Sequence, residues 1–285
     1  MAGLRVALVI AAAGLAVVAC GGGDDGGGGG GNGDGGPGGG EDAAVAGDIL
    51  IAFDRDGDMW ELDPATGTGT EILNTTYDGA ADIGVVSSAF YLPDKDQLWL
   101  GMGDRSECAA CILALDLSSG AASLLSDNID ALETGVSGLA RSPLGGFLFT
   151  VKGADRFFYG INPDTALPQP IGGMLPGVGR GAGVSFNDSE VLYAALENKL
   201  YTIGVNDGVA TEIGIFNTVG FPAPQQNFVI NSMTWLSGTM YGLMRADNKE
   251  TYLVTINLAD ATVTLVAQNP ERMEGVATLP ASKRP

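Results

Sequence analysis

The 285-residue chain has no histidine, only 14 lysines and arginines together, and three cysteines. Without His there is no Ser-His-Asp or Cys-His activation of a nucleophile, and no His-ligated zinc. The 34 acidic residues set the net charge at −20. The chain therefore lacks the basic surface that a phosphate backbone requires, which excludes nucleic acid as a partner. Helical periodicity is also missing: after residue 48 no stretch sustains apolar residues at i, i+3, i+4 and i+7. The apolar run at 6–19 is shorter than the ~20 residues a spanning helix needs.

What is abundant is glycine, 45 residues of it, unevenly spread. Arg5 and the apolar run that follows form a short export signal. The run ends Val17-Val18-Ala19-Cys20. This segment resembles the lipobox of bacterial lipoproteins, with Val17 where that family usually has Leu. The resemblance implies removal of residues 1–19, acylation of Cys20, and a membrane partner held through that lipid. Gly21 rather than Asp after the Cys implies the outer membrane in a two-membrane cell. An ordinary signal peptide cut elsewhere is the alternative. Residues 20–47 are mostly Gly with scattered Asp and Glu and no aromatic residue. Such a segment cannot bury enough apolar surface to offset its chain entropy, and it reads as a disordered tether.

Residues 48–280 repeat, and 281–285 read as a tail. A strand followed by a polar turn recurs as MWELDPATG, ILALDLSSG, FFYGINPDT, LYTIGVNDG and LVTINLADA. Each has one strand before it and a shorter one after it. A further strand opens the later units, beginning near Val86, Val136, Gly181, Ile230 and Met273. A period of roughly 40–50 residues with four short strands per unit predicts an all-β fold, a five-bladed β-propeller with six blades as the alternative. Two tandem β-sandwiches are the rival architecture. The first unit lacks an opening strand and the last, 273–280, is only an opening strand. The strand at 273–280 is therefore expected to join the strands at 48–74 and close the ring, covering the edge of the first strand that would otherwise invite aggregation. The repeats resemble the YVTN-like repeats of secreted bacterial propellers, a likeness that implies the fold and no single activity.

Three constellations could carry chemistry. Asp54, Asp56 and Asp58 suggest a calcium loop, but Gly57 and Ala65 do not match the glycine and glutamate positions of an EF-hand, so a hairpin turn is the preferred reading. Cys108 and Cys111 are expected to form a disulfide outside the cytoplasm, with a redox or metal role as the alternative.

The third lies where the opening strands converge on the central channel. Ser87, Ser137, Ala182, Asn231 and Glu274 precede the small residues Ser88, Gly138, Gly183, Ser232 and Gly275 and should form a ring at one channel mouth. Variable loops bring Tyr77, Asp78, Asp82, Glu133, Arg180, Phe221, Asn227 and Arg272 to the same face. Glu274 with Arg180 or Arg272 could hold a small polar ligand. No cofactor is expected.

The sequence thus reads as a lipid-anchored module of the cell envelope, on its periplasmic or surface face, that binds a small polar ligand or a protein. A hydrolase acting on a glycoside or lactone and a structural envelope lipoprotein are the alternatives. The glycosidase reading needs a second carboxyl group near Glu274.

Overall fold

The computed structural model describes residues 47–285, except 81, 104–105, 107, 127–134, 143, 152–156, 175, 177–181, 223–224, 226 and 247–248. The signal, Cys20 and nearly all of the tether lie outside the described residues, as do Glu133 and Arg180. Among the described residues no helix is long and apolar enough to cross a membrane.

The strands form five small sheets arranged as a ring, a five-bladed β-propeller. Blade I contains β1 (Asp48–Asp54), β2 (Met59–Leu62) and β3 (Gly69–Leu73). A short β4 (Thr76–Tyr77) leads to blade II, with β5 (Val86–Leu92), β6 (Gln97–Met102), β7 (Ile112–Leu115) and β8 (Ala121–Ser126). Blade III is β9 (Ala140–Arg141), β10 (Leu148–Val151), β11 (Phe157–Ile161) and β12 (Pro168–Met174). Blade IV is β13 (Ala182–Phe186), β14 (Leu192–Leu196), β15 (Lys199–Ile203) and β16 (Ala210–Ile215). After β17 (Asn217–Val219), blade V runs through β18 (Phe228–Leu236), β19 (Thr239–Ala246), β20 (Thr251–Ile256) and β21 (Thr262–Gln268). The last strand, β22 (Met273–Pro280), pairs antiparallel with β1 from Asp48↔Pro280 to Asp54↔Met273. It supplies the inner strand of blade I, as the complementary end fragments predict.

Two blades exceed the four strands expected from the repeat. β4 pairs in parallel with the outer strand β8, and β17 with β21. Each is a strap: the chain leaving one blade adds a rung to the outside of the next before turning inward.

The core is five layers between blades, not one central mass. Ile51, Phe53 and Met59 of blade I pack with Leu98, Leu100 and Leu113 of blade II. On the other face of β1, Leu50 and Ala52 meet Leu236, Leu243 and Leu253 of blade V. Strands buried on both faces need continuous apolar runs rather than alternation, which is why ILIAF and LYAAL read as they do.

The polar turns between third and fourth strands share one geometry. In blade I, Gly67 N–H donates to Asp63 O at 2.7 Å, and in blade II Gly120 N–H donates to Asp116 O at 2.8 Å. The same closure joins Ala166 to Asn162, Gly208 to Gly204 and Ala261 to Asn257. The fifth residue is left-handed in every case, including Ala166 (φ 54°) and Ala261 (φ 58°). In four of the turns the first residue is Asp or Asn, whose side chain accepts a backbone N–H two residues on. The turn packs on the preceding blade, which explains the glycine preference. A Cβ on Gly120 would lie 2.1 Å from Asn74 O, and one on Gly208 would lie 2.4 Å from Gly172 O.

Candidate functional site

Every inner strand starts at one end of the central channel, called the head, and finishes at the other, the foot. The ring deduced from sequence lies at the head. Its members are held by backbone register as well as by strand order. In β5 the pairing skips from Val86↔Met102 to Ser88↔Gly101, leaving Ser87 extra. In β18 it skips Asn231, between Ile230↔Met244 and Ser232↔Leu243. In β22 it skips Glu274, between Gly275↔Phe53 and Met273↔Asp54. Three of the five ring positions are therefore β-bulges, a device that re-aims a side chain out of the regular pleat. Ala182 pairs normally with Leu196, and Ser137 lies just outside the strand β9.

Ser87 is turned into the scaffold: its hydroxyl donates to Val136 O (2.5 Å) and Gly101 O (3.1 Å), stitching blade II to blade III. Asn231, Arg272 and Glu274 come together. Asn231 Nδ2 donates to Glu274 Oε2 at 2.8 Å, and Arg272 Nη2 lies 2.5 Å from Glu274 Oε1. Sequence reasoning missed a fourth member. Arg245 of β19 brings Nη1 to 3.9 Å from Glu274 Oε2. Glu274 is only 4% exposed, while the Arg272 and Arg245 side chains are 25% and 36% exposed. Arg272 Nε is buried without a hydrogen-bond partner among the described residues. Two guanidinium groups thus face one carboxylate, in a chain that is otherwise strongly acidic.

Thr251 fixes the segment carrying Arg272. Its hydroxyl donates to Glu271 O (3.2 Å) and accepts from Met273 N–H (3.0 Å) and Asn269 Nδ2 (3.2 Å). Thr251 is also the ladder partner of Arg245, so one residue sets both guanidinium positions.

The acidic hairpin also lies at the head, and its carboxylates serve the turn. Asp54 Oδ1 accepts the N–H groups of Asp56, Gly57 and Asp58, and Oδ2 accepts the indole N–H of Trp60. Asp58 Oδ1 accepts Thr75 N–H at 2.8 Å. Burial pushes the Asp58 carboxyl upward, the Thr75 N–H bond opposes this, and the charges of Asp54, Asp56 and Asp82 reinforce it. Cys108 and Cys111 are joined in a disulfide across the β6–β7 hairpin, with Cα atoms 5.6 Å apart and Cys111 buried.

At the foot, the ends of all five inner strands surround a cavity of about 570 Å³. No sequence argument pointed there. Its lining includes Phe90, Tyr91, Phe186 and Trp235, with Asp48, Asp94, Arg141 and Asp188 among its charged residues. Arg141 grips Asp94 with two bonds, Nη1 to Oδ1 at 2.7 Å and Nη2 to Oδ2 at 3.0 Å, and Nε donates to Gly146 O at 2.9 Å. The hydrogen bonds from Arg141 hold the Asp94 carboxyl below the usual range.

No family model matches the sequence, and no curated protein matches it either. Solved structures do match the fold. A chain of a nidogen–laminin complex aligns with TM-score 0.51 at 11% identity, over 81% of this chain and 98% of that one. A protein of unknown function from Bacteroides thetaiotaomicron aligns with TM-score 0.50 at 17% identity, over 78% of this chain and 56% of that one. TolB from Acinetobacter baumannii gives TM-score 0.48 at 12% identity, over 82% of this chain and 66% of that one. This chain therefore spans nearly all of the first but less than two thirds of the other two. At such identities the likeness establishes the architecture alone.

Proposed function

We propose that this chain is an extracytoplasmic binding module, anchored by lipid on Cys20 and carried on the Gly-rich tether, that takes a small anionic group at the head of the channel. The anchor reading rests on Val17-Val18-Ala19-Cys20, and the compartment also suits the Cys108–Cys111 disulfide. The observation that carries the binding reading is the surplus of guanidinium over carboxylate around Glu274. Glu274 and Asn231 position Arg272, and Arg245 is left with a long, weak pairing. Planar guanidinium groups match carboxylate and phosphate geometry, which favours an oxyanion as the bound group. Glycoside hydrolysis needs two carboxyl groups flanking the scissile bond. Glu274 is instead tied to two cations, so the geometry supports binding.

The test titrates acetate, succinate and citrate against the folded domain by calorimetry, in wild type and in Arg245→Met. Saturable binding that falls at least tenfold in the variant supports the reading; no binding of any probe, or binding indifferent to the substitution, overturns it. Fractionation of Cys20→Ala tests the anchor separately: a variant that stays with membranes refutes it.

A further inference from the structure

The foot cavity carries a surplus of carboxylates, unlike the Arg245–Arg272–Glu274 cluster at the head. Its volume of about 570 Å³ falls in the usual range for small-molecule sites, roughly 300–1,000 Å³. Phe90 of blade II and Trp235 of blade V are partly exposed there, while Tyr91 and Phe186 are mostly buried. Between blades II and V, blade I contributes the small Thr278 and Pro280 of β22 and the carboxylate of Asp48 at the start of β1, so no large side chain fills the space between the two aromatic residues. Leu144, 85% exposed, extends the apolar lining at the rim.

The charges settle the sign. Arg141 is the basic residue of the lining, and all three of its guanidinium nitrogens are already engaged by Asp94 and Gly146. Its charge is matched by Asp94, whose carboxylate takes the paired Nη1–Nη2 edge. Asp48 and Asp188 are exposed and in no ion pair among the described residues. Aromatic faces attract cations through the ring quadrupole, and a negative rim on a chain of net charge −20 draws them in over a longer range.

We propose that the foot cavity is a second binding site, for a small organic cation: a protonated amine carrying an aromatic or branched aliphatic body. The body fills the recess between Phe90 and Trp235, and the ammonium group faces Asp48 and Asp188. This site is independent of the head, and the two stand or fall separately.

The experiment titrates ¹⁵N-labelled protein with 2-phenylethylammonium chloride, using 2-phenylethanol and 3-phenylpropanoate as neutral and anionic counterparts. The readout is the indole N–H signals. Trp60 bonds to Asp54 at the head and is remote from the cavity, while Trp99 bonds to Gln97 and lies behind Phe90 as its cross-strand partner without lining the cavity. The ammonium probe is expected to move the Trp235 signal saturably and leave the Trp60 signal in place. It should bind about fivefold or more tightly than the alcohol, while the carboxylate does not bind. The double substitution Asp48→Asn with Asp188→Asn, both at exposed positions, should remove most of that advantage, and succinate should not compete. Equal binding of the alcohol and the amine overturns the proposal, as does a titration that leaves Trp235 unmoved or a double variant that keeps the full charge preference.

Discussion

Asn231 and Glu274 hold the same place on adjacent inner strands, each the extra residue of a bulge, and the Asn231 amide donates to the Glu274 carboxylate at 2.8 Å. The bond joins blade V to the strand that closes the ring. The head site and the closure of the propeller therefore share a residue pair.

Glu274→Gln should destabilise the fold by about 1–3 kcal/mol, because it leaves two guanidinium groups without their counter-charge. The figure is below that for a fully buried pair because Arg245 and Arg272 are partly exposed. Urea denaturation measures it. Adding Arg272→Met should recover part of the loss, and a double-mutant cycle between Asn231→Ala and Glu274→Gln should show coupling of about 0.5–1.5 kcal/mol.

The repeated turn gives a contrast between two similar substitutions. Gly120→Ala forces a Cβ into left-handed backbone and against Asn74 O, and should lose at least ~1–2 kcal/mol. Ala261→Gly relieves left-handed strain but loses a buried Cβ, and should change stability by less than ~1 kcal/mol. Urea midpoints of the two variants at equal slope test the comparison.

The Tyr91 hydroxyl donates to Asp96 Oδ1 at 2.5 Å, and Lys283 of the C-terminal tail donates to the other oxygen at 2.6 Å. Burial first, and then Asp96, push the Tyr91 phenol up to about 12 from its ordinary value of 10.0. The unfolded phenol ionises first, so this stabilisation is complete below pH ~10 and is lost as pH rises towards ~12. Urea midpoints should fall across that window, and fall less in Tyr91→Phe. Burial also raises Tyr201, so part of the slope should remain. The bonds from Lys283 and Tyr91 lower the Asp96 carboxyl. Its contribution has the reverse sign, present at neutral pH and lost as pH falls below the carboxylate range.

Trp235 offers a test of orphaned polarity. Its indole nitrogen is buried without a partner among the described residues. An unpaired buried donor costs about 1–3 kcal/mol. Trp235→Phe should therefore be nearly neutral, whereas Trp99→Phe, which breaks the bond to Gln97, should be clearly destabilising. Thermal unfolding of the two variants decides it.

The blade plan was legible because the same five-residue polar turn follows the third strand of each unit, with Asp or Asn first in four of the five, and because 273–280 and 48–74 are complementary fragments. The head ring was legible for the same reason: alignment of the inner strands puts Ser87, Asn231 and Glu274 in one layer. The bulges were not, since they are a property of hydrogen-bond register that leaves no mark in composition. Arg245 escaped because it sits on a second strand and reaches the ring only across the sheet. The straps β4 and β17 escaped because two or three residues of a linking loop carry no strand signal of their own. The foot cavity escaped because it is framed by short regular turns, which carry no insertion to mark a site. The signal was present: Phe90 and Trp235 follow the small axial residues Ser88 and Ser232 by two and three positions.

Closure by β22 also dictates an order of events. The edge of β1 cannot be covered until the chain has been extended as far as Pro280, its partner in register being Asp48. The first blade made is thus the last blade finished, and closing so long a loop carries a large entropic penalty before any contact is gained. During synthesis or threading the nascent ring is an open sheet stack with ILIAF at its lip. The ILIAF segment keeps an open backbone edge, available for mispairing with another chain, until the final strand arrives.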